Sequence, residues 1–436
     1  MSRVFRIELR RSVALGLALV LLVAGALLLF FADPSAFTTG WMQLAMTQRL
    51  YLAVLWPLAL AAGAWQARRE HRSNVAELFA TTPRPRAQRI VPTLAALAVG
   101  AIAGYLAMGI AGGVWIAGTA RYLPVSVFAV LGVGLLALVA AVWLGLAVGH
   151  LLPSPATAPA LAVAGLGLLL LLPGATRPHG WLALVFSPIY EMNLPDAYTT
   201  VPGPASVSQA IWLAALAVAA VLLVAAGGWR LRVAALLPVV LGAALAIAVM
   251  PRNDRYVIDA VDPVARELVC ARDEPRVCLS RVHTGLLGEV TGPAREALTV
   301  LAKLPGAPTQ VHEDTTTYVP IVYPAWHDDV VLLRVDAGSD GHLADRGGVL
   351  AEVVAGAFAS RGDCDHFAGP QEKLAAAYWL IGREPAVPAG SYDPEIVTAA
   401  TQLWQSLRQR PDAAARVAAL RQAALSCTVQ DGQLSR

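Results

Sequence analysis

Residues 68–89, RREHRSNVAELFATTPRPRAQR, form a basic segment between two strongly apolar stretches of the chain. Asn74 and Glu77 have the spacing of a capping box, in which a short polar side chain and a glutamate satisfy the free N–H groups of a helix's first turn. Pro83 and Pro85 would end such a helix about two turns later. The segment therefore predicts a short helix inside a basic loop.

The predicted helix has one small apolar face. Val75, Leu78 and Phe79 lie at positions i, i+3 and i+4, so their side chains share this face. The loop around it is polar and basic and offers little to cover it. Two interpretations remain open: a soluble partner grips the helix, or the helix lies on lipid headgroups as part of an ordinary cytoplasmic loop.

The segment resembles the cytosolic coupling segment of bacterial type-2 ABC exporter permeases, which follows their second span. There, an acidic residue and a leucine precede a short Ala/Thr run, a proline and arginines. The matching positions are Glu77, Leu78, Ala80, Thr81, Thr82, Pro83, Arg84, Arg86 and Arg89. The resemblance implies a membrane subunit that works as a homo- or heterodimer with a separate ABC ATPase. The residues implied to couple to that ATPase are Val75, Glu77, Leu78 and Phe79.

Composition places the chain among integral membrane proteins. Hydrophobic residues make up 57% of the 436 residues, charged residues only 14%, and the mean hydropathy is +0.58. Charged residues are rare up to about residue 250 and have an ordinary soluble frequency after it. We therefore predict an α-helical polytopic membrane bundle of about seven spans in residues 1–250, followed by a soluble α+β domain in residues 251–436.

The predicted spans are apolar stretches of a length suited to a bilayer core about 30 Å thick. They are residues 12–32, 50–66, 90–118, 125–151, 157–173, 208–228 and 233–250. Between the fifth and the sixth, residues 174–207 contain an apolar run that is too short to cross. The resemblance implies a re-entrant, half-helical excursion at this place, whereas the residues alone fit a Pro-rich outer loop equally well.

The arginines indicate how these spans are oriented. With the N-terminus in the cytoplasm, twelve arginines fall on the cytoplasmic side, and only Arg49, Arg121 and Arg177 fall in short outer loops. Seven crossings then place residues 251–436 outside the plasma (inner) membrane. By this assignment the spans carry no charged residue, which disfavours an ion-coupled transporter, because such proteins place ionisable groups within the membrane.

The energy for transport would have to come from another chain. The only lysines are Lys303 and Lys373, and neither lies in a G-x-x-x-x-G-K-[ST] phosphate loop. The net charge of +3 is too small to indicate a nucleic-acid partner. We therefore expect a lipid bilayer and a separate ATPase as partners, and no cofactor bound by this chain.

The cysteines test the predicted orientation independently. All four follow residue 250, and an even set confined to one exported domain is typical of disulfides in an oxidising compartment. Cys270 and Cys278 bracket a turn-forming Asp-Glu-Pro sequence, so we predict a bridge across a β-hairpin. Cys364 and Cys427 pair by elimination. The alternative is four buried free thiols in a cytosolic domain, which a six-span chain would require.

The C-terminal region offers several side chains of catalytic type, but no recognisable motif. They are His283, His312, His327, His342, His366, Asp328, Asp329, Asp363 and Asp365. The sequence lacks the H-E-x-x-H spacing of a zinc hydrolase and the G-x-S-x-G turn of a serine hydrolase. We therefore expect neither an enzyme nor a metal site. The alternative function is a membrane-anchored receptor or assembly protein whose outer domain binds a ligand, and a tethered peptidase would need a metal.

Overall fold

The computed structural model describes residues 9, 12–72, 86–189, 196–226, 228–251, 260–318, 321–362, 364–384 and 392–436. The chain forms two compact units. The first contains Met1–Ala117 and Leu123–Val261, and the second contains Gly118–Tyr122 and Asp262–Arg436. We call them the helical unit and the C-terminal unit and describe each by itself.

The helical unit consists of long apolar helices with short helices between them. They are α1 (Ala14–Phe31), α2 (Ser35–Thr38), α3 (Trp41–Leu50), α4 (Leu52–Arg72), α5 (Arg86–Ile116), α6 (Ser126–Leu151), α7 (Thr157–Ala175), α8 (Trp181–Phe186), α9 (Gly203–Ala225), α10 (Trp229–Ala234) and α11 (Leu237–Val249). Two short strands, β1 (Thr199–Thr200) and β2 (Ala260–Val261), form an antiparallel pair.

Among the described residues, six helical segments are long and apolar enough to cross a membrane. They are Ala14–Phe31, Ile90–Ile116, Ser126–Leu151, Thr157–Ala175, Gly203–Ala225 and Trp229–Val249. A seventh is present if α3 and α4, which meet at a bend of 50°, count as one broken span. The predicted span at 50–66 lies almost entirely in α4, and α3 would extend it toward the N-terminus if the two helices count as one span. Hydropathy alone does not predict α3 as part of a span, because its sequence WMQLAMTQRL is rich in polar residues.

Neighbouring helices of this unit approach so closely that only glycine fits between their backbones. A Cβ atom on Gly63 of α4 would lie 2.0 Å from the Val142 carbonyl oxygen of α6, and one on Gly145 would lie 2.0 Å from the Leu60 carbonyl oxygen. Contacts of this kind, which small residues permit, are typical of helices packed within membranes. The α4–α6 pair is therefore among the tightest helix contacts that the structure describes.

The directions of three helix pairs are those expected if successive long helices run in opposite directions. Gly100 and Gly104 of α5 face Ala14 and Ala18 of α1, in the same order along both helices, so these two helices are parallel. The α4–α6 pair is parallel in the same way. In contrast, Ser208 of α9 donates a hydrogen bond to the Ala246 carbonyl of α11 (2.8 Å), and Gly242 of α11 faces Ala215 of α9, so these two helices are antiparallel.

Arg72 of α4 and Met250, which follows α11, lie at opposite ends of the helical bundle. One apolar cluster joins residues close to the start of α3, the start of α6, the start of α9 and the end of α11. These residues are Met42, Val127, Val201 and Met250. Helix α4 ends at Arg72 and helix α5 begins at Arg86, and both residues are at the opposite end of the bundle from this cluster. The segment that joins α4 to α5 therefore starts and finishes at the end opposite to Met250, where the last long helix ends.

The C-terminal unit is a mixed helix and sheet fold, as predicted in general terms. Its strands are β3 (Leu268–Cys270), β4 (Val277–Ser280), β5 (Gln310–Glu313), β6 (Thr317–Tyr318), β7 (Ile321–Val322) and β8 (Val330–Leu333). Its helices are α12 (Pro263–Arg266), α13 (Leu287–Leu301), α14 (Val349–Gly356), α15 (Pro370–Ile381), α16 (Pro394–Arg408) and α17 (Ala413–Leu425). A single 3₁₀ turn, Thr284–Leu286, precedes α13.

Four strands form one sheet in the order β3-β4-β5-β8, with β4, β5 and β8 parallel and β3 antiparallel to β4. Alternating side chains of the parallel strands, such as Val277, Val311 and Val331, enter one core with the helices. Both predicted disulfides are present, Cys270–Cys278 and Cys364–Cys427. The first joins directly opposite residues of the β3–β4 hairpin, which confirms the predicted hairpin.

Candidate functional site

The predicted coupling residues, Val75, Glu77, Leu78 and Phe79, lie outside the described residues. The structure does describe the two helices that lead into and out of this segment, α4 and α5. Buried polar side chains of these helices and their neighbours are candidates for a functional position, because such side chains are energetically costly inside a membrane bundle.

Arg49 is completely buried within the helical unit. It lies in the last turn of α3, just before the bend between α3 and α4. Its Nη2 donates to the Pro188 carbonyl oxygen (2.8 Å) and to Oε1 of Gln209 (3.1 Å). The prediction that Arg49 lies in an outer loop is therefore wrong, and a charged side chain lies within a span if α3 and α4 count as one. The position of Arg49 was not predictable from hydropathy, because α3 is not a long apolar stretch.

Other buried polar side chains lie close in sequence to Arg49 in α3 and to Gln209 in α9. They are Gln43, Thr47, Gln48 and Ser208, and we call them, with Arg49 and Gln209, the buried polar cluster. Gln209 donates to the Leu184 carbonyl oxygen (2.7 Å), and Gln43 donates to the Asp196 carbonyl oxygen (2.6 Å). These bonds connect α3, α8, α9 and the segment between α8 and α9. The run of polar residues in α3 was the available sequence signal for this cluster.

The cluster lies well inside the bundle. Arg49 is eight residues after Trp41, the first residue of α3, which is about 12 Å along the helix axis at 1.5 Å per residue. A guanidinium group stays protonated in proteins and therefore cannot relay a proton. The described bonds instead connect the end of α3, beside the bend, to the Pro188 segment and to α9, and we call this connection the joint.

A second buried polar group lies in the C-terminal unit, where the parallel strands β4 and β5 end. His283 is 3% exposed and Glu313 is 1% exposed, and Nδ1 of His283 is hydrogen-bonded to Oε1 of Glu313. The other carboxylate oxygen of Glu313 accepts from the backbone N–H of Ser280 (2.7 Å). Carboxyl ends of parallel strands are common ligand sites, but these side chains lie below the surface.

The Glu313 carboxylate changes the acidity of His283. Burial alone lowers the pKa of His283, but the charge and hydrogen bond of Glu313, with the charge of Asp336, raise it above the ordinary 6.5. The folded protein therefore binds this proton more tightly than the unfolded chain. The resulting stabilisation is fully present below pH 6.5 and disappears as the pH rises through the raised pKa.

We therefore expect the unfolding temperature of the C-terminal unit to fall as the pH rises above 6.5, and we expect His283→Gln to remove much of this fall. Scanning calorimetry of the purified full chain at a series of pH values measures this unfolding temperature. His327→Gln is the matched control because His327 is exposed. Equal pH dependence in the His283 variant and the control would contradict the buried ion pair.

The remaining candidate residues do not converge on one centre. His342 and Arg346 share the carboxylate of Glu289 near the surface. Asp329 accepts from Gln310, and Cys364 is in a disulfide. Asp363 lies outside the described residues. Within the ranges that the structure describes, no group of three or more His, Cys, Asp or Glu side chains is arranged to hold a metal ion.

No family model, curated protein or solved structure matches this chain.

Proposed function

We propose that the protein is the membrane-spanning subunit of an ATP-driven ABC-type exporter, coupled through residues 68–89 to a separate ATPase and working as a homo- or heterodimer. The observation that carries the proposal is where the helices on either side of the motif end. Arg72 of α4 and Arg86 of α5 both lie at the end of the bundle opposite to Met250. A soluble motor needs a segment between two spans that it can reach from one side of the membrane.

The packing of α4 supports a mechanical role for this connection. Its far end meets α3 at the 50° bend beside Arg49, which hydrogen bonds fix to the rest of the unit. A force applied near Arg72 would therefore tilt α4 about this fixed joint. Because Gly63 and Gly145 bring the backbones of α4 and α6 into contact, α6 would have to move with α4. The coupled movement would open a path through the bundle.

The proposed orientation places the motif in the cytoplasm and the C-terminal unit outside the plasma (inner) membrane. With Arg49 assigned to the helical unit, only Arg121 and Arg177 remain in short outer loops, which strengthens the arginine bias. Two disulfides and no free cysteine suit an oxidising compartment. The alternating helix directions also fit an odd number of crossings, because Arg72 and Met250 lie at opposite ends.

The proposal predicts that a nucleotide-binding partner co-purifies with the full chain from its native membranes. We expect Leu78→Asp combined with Phe79→Asp to abolish this association, because charges on the apolar face oppose burial against a partner. Mass spectrometry of the purified complex tests for this association, by identifying any protein that has a phosphate-binding loop.

Ser73→Asp combined with Gln88→Asp is the matched control, because it adds the same charge to polar positions of the same segment. We expect this control to retain the ATPase. Retention of the ATPase by the Leu78/Phe79 variant as well, or absence of any ATPase from the wild-type preparation, would contradict the proposal.

The C-terminal unit favours a second candidate, a membrane-anchored receptor or assembly protein. This unit has its own apolar core, with Phe358, Tyr378 and Leu407 deeply buried, and two disulfides stabilise it. Such a domain is suited to bind a ligand or an envelope component. In this case the full chain would co-purify with that component from the same membranes, and no ATPase would be present.

A further inference from the structure

The hairpin of β6 and β7 exposes an aromatic and aliphatic face. Tyr318 is 53% exposed, Ile321 is 61% exposed and Tyr323 is 70% exposed. Tyr318 and Ile321 are directly opposite in the antiparallel pairing. Tyr323 follows Ile321 by two residues, so in extended chain its side chain points to the same side. We call this set the hairpin face.

The composition around the hairpin face suits contact with lipid headgroups. Residues 315–326, TTTYVPIVYPAW, contain no charged side chain. Tyrosine and tryptophan are enriched where membrane meets water, because each has an apolar ring and a polar group. Single exposed apolar side chains are common on protein surfaces, but three on one face of one short hairpin are a continuous patch.

The base of the hairpin is attached to residues that are close in sequence to the membrane helices. Nε of Arg266 donates to the Thr315 carbonyl oxygen (3.0 Å), just before β6. Arg266 belongs to α12, whose N-cap residue Asp262 accepts a hydrogen bond from the Tyr122 hydroxyl (2.8 Å). Tyr122 lies six residues after Ile116, the last residue of α5.

The chain between α5 and Tyr122 is short. Six residues span at most about 20 Å of extended chain. Tyr122, and Asp262 that accepts its hydrogen bond, are therefore tethered to the end of α5 by a short segment. The hairpin face is one of the exposed apolar surfaces of the unit that this segment attaches.

We propose that the hairpin face inserts into the headgroup region of the bilayer that surrounds the helical unit. Its occupant is lipid, because the face is uncharged and carries tyrosines, which are enriched where membrane meets water. The flanking Asp314 and Asp328 would repel anionic headgroups. Apolar burial therefore drives the contact, and anionic lipid is not required. The inference depends on membrane insertion of the helical unit and is independent of the ATPase.

The experiment uses the full chain in lipid nanodiscs and a bimane fluorophore on one introduced cysteine. All four native cysteines are in disulfides and do not compete for the label. Ile321→Cys and, in a separate protein, Tyr323→Cys report on the hairpin face. Phe367→Cys is the matched control, because Phe367 is an apolar residue of the same unit that is 49% exposed. Lipids carrying a quencher near the headgroup are the probe.

We expect bimane at residues 321 and 323 to emit at shorter wavelength and to lose most of its fluorescence when quencher lipid is present. Bimane at residue 367 should lose little. The difference should persist in purely zwitterionic lipid and at high salt. Quenching at 321 and 323 no greater than at 367 would overturn the inference. Efficient disulfide formation between two copies through Cys variants at 321, without quenching, would also overturn it and assign the face to a second copy.

Discussion

Gly145→Ala is expected to disrupt the helical unit severely, although it adds only one methyl group. The new Cβ atom would lie 2.0 Å from the Leu60 carbonyl oxygen and 2.8 Å from the Leu60 carbonyl carbon, both backbone atoms that cannot rotate away. Helix α4 must then separate from α6 along their shared contact. Overpacking of a well-packed interior costs about 1–3 kcal/mol and sometimes more. A clash with backbone belongs at the upper end of this range.

Gly132→Ala provides the control for this prediction. Gly132 lies in the same helix, and no atom lies within 4 Å of the position that its Cβ would occupy. This variant should be neutral or slightly more stable, because alanine favours helix by about 1 kcal/mol relative to glycine. Thermal unfolding of the two purified variants in detergent measures the difference. Equal unfolding temperatures would show that α4 and α6 are not in backbone contact.

Arg49→Met has the second large expected effect. Methionine fills much of the same space but donates no hydrogen bond, so the Pro188 carbonyl oxygen and Oε1 of Gln209 lose this donor inside the bundle. A buried acceptor left unsatisfied costs about 1–3 kcal/mol. We therefore expect a marked fall in unfolding temperature and looser attachment of the segment around Pro188.

Two further variants separate geometry from charge at this site. Arg49→Lys keeps the positive charge but lacks the planar fork, so we expect a smaller loss of stability than for Arg49→Met. Arg232→Met removes the same group from an exposed position in α10 and should change the unfolding temperature little. The account of the joint is contradicted if Arg49→Met is as stable as Arg232→Met.

Some of the architecture could be predicted from local sequence, because local sequence decides it. Long apolar runs indicate membrane-length helices whatever their neighbours are. The Asp-Glu-Pro turn between Cys270 and Cys278 predicts a hairpin, and the structure shows one with these residues opposite each other. The start of α16 after Asp393-Pro394 is also local, because the aspartate accepts a hydrogen bond from the Glu395 N–H and caps the helix.

Other features depend on contacts between residues that are distant in the chain, and they leave little signal in the local sequence. Arg49 is buried because α8, α9 and the Pro188 segment surround it, and these lie more than 130 residues later in the chain. The parallel order of β4, β5 and β8 was not predicted, because four-residue apolar runs do not specify their neighbours. The His283–Glu313 pair joins residues 30 positions apart that no motif connects.

The proposed mechanism requires residues 68–89 and the C-terminal unit to face opposite sides of the membrane, and a sidedness measurement tests this most directly. Ser73→Cys and Phe367→Cys, each in the full chain in its native cells, are exposed to a maleimide that cannot cross membranes. The account predicts that residue 367 is labelled in intact cells and that residue 73 is labelled only after the inner membrane is permeabilised. Labelling of both residues from the same side would contradict it.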